Sequence, residues 1–119
     1  MSLTITSRKA GEIVVLDVRG RITFGDECNQ LRNEVKEVLA TKPLGVVLNL
    51  SQVVYMDSGG IGTMVALYTS AHAAGCELKI AAPTDRVKYV LDITKLTPIL
   101  GVFPSEERAF ASMQRQASA

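Results

Sequence analysis

The strongest constraint on the fold is a five-residue run, Val46-Val47-Leu48-Asn49-Leu50, apolar at four of its five positions. A run this short and this rich in branched side chains reads as a strand buried on both faces. Patterns of 3.6-residue period flank it on either side. Asp26 to Ala40 places Cys28, Leu31, Val35, Val38 and Leu39 on one helical face, and Ser58 to Ala74 places Ile61, Met64, Val65, Tyr68 and Ala71 on another. A doubly buried strand between two amphipathic helices requires helices packed over a largely parallel sheet.

The remaining segments extend that pattern. Leu3 to Ser7 alternates, Ile13 to Val18 is nearly continuous Val, Ile and Leu, and Ala10-Gly11 separates them, so the pair forms a hairpin or two neighbouring strands. Gly20 to Gly25 is expected to be a loop. Lys42-Pro43 ends the first helix, and Gly75 closes the second at the C′ position. Glu77 to Ala81 is a strand. Pro83-Thr84 opens a third helix, with Thr84 as cap and Val87, Val90 and Leu91 inward. Ile99 to Phe103 is a last strand. Ser105 caps a final helix with Ala109, Phe110 and Met113 inward, and Gln114 to Ala119 is expected to fray. The order β-β-α-β-α-β-α-β-α predicts an α/β domain over residues 1–119. Its sheet is mixed and largely parallel, of four to five strands with about four helices and right-handed crossovers.

Charge and composition exclude several functions. A net charge of +1, with scattered Lys and Arg, lacks the basic stripe that a nucleic-acid binder needs. No apolar run approaches the ~20 residues of a membrane span, and Met1-Ser2-Leu3-Thr4 does not begin a signal peptide. Cys28 and Cys76 are isolated thiols without metal-ligand spacing, each in or beside an apolar pattern. These features point to a cytoplasmic setting without a metal or other cofactor.

Chemistry concentrates where the buried strand hands over to the second helix. Asp57 is placed to cap that helix, and Ser58 falls in its first turn with the hydroxyl free to point outward. Gly59, Gly60 and Gly62 each weaken a helix by up to ~1 kcal/mol relative to Ala. Such a cluster suits either close approach by another molecule or tight packing on the sheet. A serine nucleophile would need a histidine base, and the only histidine is His72, fourteen residues along the same helix. At about 1.5 Å per residue the two lie roughly 20 Å apart, which excludes Ser-His catalysis in a monomer. Paired acids Asp26/Glu27 and Glu106/Glu107 begin helices, where they complement the dipole. No phosphate-loop spacing accompanies the glycines, so a nucleotide or other small-molecule ligand is not expected.

Met56-Asp57-Ser58-Gly59-Gly60-Ile61-Gly62 resembles the Asp-Ser-x-Gly-Leu/Ile-Gly motif of STAS domains, the anti-sigma factor antagonists of bacteria. Gly20-Arg21-Ile22-Thr23 is similar to that family's early Gly-Glu-Leu/Ile-Asp loop. Val46 to Leu50 is similar to its central strand, and Leu78-Lys79-Ile80 with Val87 to Leu96 to its late strand and helix. The resemblance implies a STAS fold and a protein switch rather than an enzyme. It implies a partner, an anti-sigma factor that is also a serine kinase, which phosphorylates Ser58 and then dissociates, and a phosphatase that resets the cycle. A non-phosphorylated scaffold or regulatory subunit of a lipid-transport or stress-signalling assembly is the alternative.

The docking surface expected from these residues comprises Arg21, Phe24, Asp57, Ser58, Gly59, Gly60, Ile61 and Met64. Phe24 stands in a polar segment without core register, as an interface anchor would; Met64 fits a core role equally well. One departure stands out. Arg21 and Thr23 occupy the positions that the family usually fills with acids.

Overall fold

A computed structural model describes residues 3–118, with side chains as far as Met113. Five strands form one sheet: β1 (Thr4–Ala10), β2 (Ile13–Ile22), β3 (Gly45–Met56), β4 (Glu77–Ala81) and β5 (Val102–Phe103). Five helices accompany them: α1 (Asp26–Ala40), α2 (Ser58–Ala73), α3 (Asp85–Ile93), α4 (Thr97–Leu100) and α5 (Glu106–Ser118). Spatial order equals chain order, β1-β2-β3-β4-β5, with β1 antiparallel to β2 and every later pair parallel. The expected α/β sheet is therefore present, but the short α4 takes Ile99 and Leu100 from the strand expected over 99–103, which leaves β5 with Val102 and Phe103. Among the described residues no helix is long and apolar enough to cross a membrane, and no cluster of side chains could hold a metal ion.

A sheet built in sequential order by crossovers of one hand places its crossover helices on one face. That face is the larger core. Val14, Leu16 and Val18 of β2 and Val46, Leu48 and Leu50 of β3 pack there with Leu31 and Val35 of α1, Met64 and Leu67 of α2, and Leu91 of α3. The alternate residues Ile13, Val15 and Val47 face the other way, where Ala109 and Met113 of α5 cover them. Both faces are thus dry over residues 13–16 of β2 and 45–48 of β3, which explains the apolar runs there. Cys28 and Cys76 are buried free thiols, and burial pushes the Cys76 thiol pKa up, assisted by Glu77.

Local chemistry sets the boundaries. Gly11, at φ +65°, begins the two-residue turn between β1 and β2, a backbone position where a side chain would be strained. Thr84 caps α3 by accepting from the Val87 N–H at 3.4 Å, and Ser105 caps α5 by accepting from the Arg108 N–H at 3.2 Å. Gly75, at φ +73°, follows α2 as expected. The expected fraying of 114–119 concerns residues whose side chains, and for Ala119 the backbone, lie outside those described.

Three further expectations are corrected. The predicted loop Gly20–Gly25 begins later: Gly20, Arg21 and Ile22 belong to β2 and pair with Val53, Tyr55 and Met56. β3 continues to Met56, well past Leu50, and its ladder with β2 shifts register twice, between Asp17/Arg19 and between Gly20/Arg21. At each shift β3 uses one residue more than β2, the mark of a bulge. Its core-facing side chains therefore run Leu50, Val53, Met56, at intervals of three instead of two. In α2, Leu67 rather than Val65 faces the core; Val65 is exposed. The 3.6-residue pattern had two readings there because α2 is apolar nearly all round.

A polar network fixes α5 to the sheet. Arg8 of β1 binds the Asp17 carboxylate of β2 at 2.7 Å and also Glu106, which accepts from the Asn49 amide of β3 at 2.6 Å. The two carboxylates raise the Arg8 pKa further, Asp17 contributing most. Glu106→Ala should cost about 1 kcal/mol, a charge-assisted bond discounted for partial exposure. Urea unfolding should show that loss shrinking as salt is added.

Candidate functional site

The site lies at the carboxyl ends of β2 and β3, where α2 begins. Asp57 is the N-cap of α2, with extended backbone at φ −96° and ψ −172°. One carboxylate oxygen, Oδ1, accepts from the Gly60 N–H at 2.9 Å, and the other, Oδ2, accepts from the Phe24 N–H at 3.1 Å. The Asp57 N–H donates to the Ile22 carbonyl at 3.3 Å. One residue thus joins three segments: the end of β2, the β2–α1 connection and the first turn of α2. The Gly60 N–H holds the Asp57 carboxyl below the usual carboxylate range, with a smaller contribution from Phe24.

The other expected residues divide into exposed and enclosed. Ser58, the first residue of α2, is exposed, as are Arg21 and Phe24, the last at 83%. Ile61 is half-buried. Met64 is wholly buried in the core, and Gly60 is buried, so neither presents surface to a partner. The glycine cluster also changes meaning. A Cβ on Gly59 would sit 2.7 Å from the Phe24 Cβ and 2.9 Å from its Cα; one on Gly60 would sit 2.4 Å from the Ile22 carbonyl oxygen. These two glycines admit the protein's own β2–α1 segment. Only Gly62, where a Cβ would meet nothing within 4 Å, leaves its helix surface open to another molecule.

One residue, Tyr55, and one contact of the expected cap Thr84 were missed in the sequence. Tyr55 of β3 is contacted by two guanidiniums, Arg21 at 5.4 Å and Arg86 of α3 at 5.7 Å from the ring centroid. Thr84 Oγ1 donates to the Val53 carbonyl at 3.0 Å and holds the start of α3 against β3. Tyr55 could have been found only by recognising the bulged continuation of β3, which carries it opposite Arg21. His72 stacks on Tyr68, with centroids 6.4 Å apart and an interplanar angle of 13°, and lies near the far end of α2 from Ser58.

Gly60→Ala should destabilise the domain by about 2–3 kcal/mol, since the clash is with backbone. Gly62→Ala should stabilise it by up to ~1 kcal/mol. Paired urea melts would check both. Asp57→Ala should cost about 1–2 kcal/mol at neutral pH, as a cap with a second acceptor bond. Because folding lowers the Asp57 pKa, its contribution is fully present above the unfolded value of 3.8 and disappears as pH falls through the folded one. The gap between wild type and Asp57→Ala should therefore narrow as pH falls below 3.8.

Comparison with known proteins places this geometry in a family. The STAS domain family model matches residues 4–109. A STAS-domain containing protein of Pseudomonas aeruginosa is 22% identical over 102 residues, covering 86% of this chain and 99% of that protein. Among solved structures, an anti-sigma factor antagonist from Mycobacterium paratuberculosis has a TM-score of 0.82 at 18% identity, covering 94% of each chain. The anti-sigma factor antagonist SpoIIAA in its unphosphorylated form has a TM-score of 0.75 at 19% identity, covering 93% of this chain and 96% of that one. The phosphorylated form of SpoIIAA, from Bacillus, gives 0.67 at 20% identity, covering 92% and 98%. With the family model spanning nearly all of the described residues and these folds superposing along their length, the chain belongs to the STAS domain family.

Proposed function

We propose that this domain is an anti-sigma factor antagonist, a non-enzymatic switch that binds a serine-kinase anti-sigma factor and is released when that kinase phosphorylates Ser58. The observation that carries the reading is the division of labour at the start of α2. Asp57 carries the cap, bonded to Gly60 and Phe24, so Ser58 is left exposed with no structural duty among the described residues. The likeness to SpoIIAA in phosphorylated and unphosphorylated forms supports it.

The electrostatics suit a switch. A phosphate adds about −1.5 to −2 charge. At a helix N-terminus the amide dipoles accommodate that charge, so the fold tolerates it. Inside an interface beside the Asp57 carboxylate the same charge is repelled and desolvated, so binding is lost. The partner kinase supplies its own ATP, a phosphatase restores the free hydroxyl, and the cycle runs in the cytoplasm. Arg21, Phe24, Ser58 and the open surface at Gly62 form the docking face.

Incubation with the cognate kinase and ATP should place one phosphate on Ser58, mapped by peptide mass spectrometry, with far-UV circular dichroism nearly unchanged. Phosphate mainly on Ser51, Ser70 or Ser105 would sink the reading. In calorimetric titrations Ser58→Ala should keep partner affinity. Ser58→Asp should lose about 3 kcal/mol, more than a hundredfold in Kd. Full binding by Ser58→Asp would instead favour a scaffold role.

A further inference from the structure

We propose that α3 presents a second docking face, selective for a partner segment that is apolar along one side and acidic at one end. Successive residues of a helix turn by about 100°, so Arg86, Tyr89 and Ile93 fall within roughly 60° of arc. Val87 and Leu91 point into the core from another side, and Lys88 and Asp92, joined at 2.9 Å, occupy a third flank. The outward row is open: Tyr89 is 64% and Ile93 59% exposed. Apolar side chains in i, i+4 register on an exposed helix are the spacing by which one helix meets another.

The Arg86 end of the row is cationic. Arg86 and Arg21 both lie against the Tyr55 ring, so their guanidiniums are no farther apart than the sum of their 5.7 and 5.4 Å distances to its centroid. Among the described residues neither forms an ion pair, whereas Arg8, Lys79 and Lys88 all do. Two unneutralised cations held on one ring repel each other, and a carboxylate reaching them relieves that repulsion. The planar guanidinium fork also pairs with carboxylates bidentately. The cluster is positioned before binding, because Thr84 ties the start of α3 to the Val53 carbonyl and Arg21 is opposite Tyr55 in the β2–β3 ladder. Charge complementarity therefore names the occupant: a partner helix with carboxylates over the arginine pair and apolar side chains along Tyr89 and Ile93. The inference rests on these residues and not on Ser58 phosphorylation.

The test uses the whole chain and two fluorescein-labelled amphipathic peptides of about 18 residues, both with leucines along one face, one with glutamates and the other with lysines at one end of that same face. Fluorescence anisotropy should show the glutamate peptide binding at least ~10-fold more tightly than the lysine peptide. Arg21→Gln with Arg86→Gln should remove most of that preference. Tyr89→Ser with Ile93→Ser should weaken both peptides. Phe24→Ala, on the switch's docking face and outside the arginine pair, should change neither and so separates this face from the switch. All of these positions are exposed, and unchanged urea midpoints would confirm intact folding. Amide chemical shifts should move at residues 86–93. Equal affinity for the two peptides, binding of neither, shifts confined to other helices, or self-association of the chain through Tyr89 and Ile93 would each overturn the proposal.

Discussion

The absence of any wet face over residues 13–16 of β2 and 45–48 of β3 governs this structure. Val15, Leu16, Val46, Val47 and Leu48 are fully buried, and neighbouring residues of each strand point to opposite cores. A sheet so apolar on both sides cannot remain open. Four helices cover one face in the course of the crossovers, and α5 must return to cover the other. The Arg8–Glu106–Asn49 network sits where α5 starts and gives that return a fixed orientation that apolar packing alone would leave loose.

At the carboxyl ends of the same strands the demands reverse. The Phe24 N–H lies past the end of the ladder, and the Gly60 N–H is in the first turn of a helix, which leaves its amides without intrahelical partners. Asp57 satisfies both donors, from different segments, at once. The close approach this requires excludes any side chain from Gly59 and Gly60, so the motif's glycines and its carboxylate are one packing solution. Ser58 stands beside that solution without taking part in it, which lets it be modified without dismantling the fold.

Most of the architecture was legible because its signals are local. The caps at Thr84 and Ser105, the stop at Gly75, the hairpin at Gly11 and the two-sided runs of β2 and β3 each follow from a few adjacent residues. What stayed hidden depends on non-local pairing. The end of β3 shows core residues at Leu50, Val53 and Met56, a spacing that matches no regular strand and makes sense only against the even spacing of β2. With the predicted strand ending at Leu50, Tyr55 had no register, its two arginines had no meeting point, and Arg21 was placed in a loop. Met64 was ambiguous for a related reason: α2 is apolar nearly all round, so sequence periodicity could not say which side faces the core.

The two halves of β3 differ in how they are held. Gly45 to Asn49 is flanked on both sides, by β2 and by β4, whereas beyond Asn49 the ladder continues only with β2 and is broken by two bulges. A single strand should therefore show two tiers of amide hydrogen-exchange protection, slow near Val47 and faster near Tyr55. The end that carries Asp57 and Ser58 can then open briefly while the core strand stays closed. Motion at that end is decoupled from the global unfolding of the domain, and a few residues there can order or loosen without drawing on the stability of the whole.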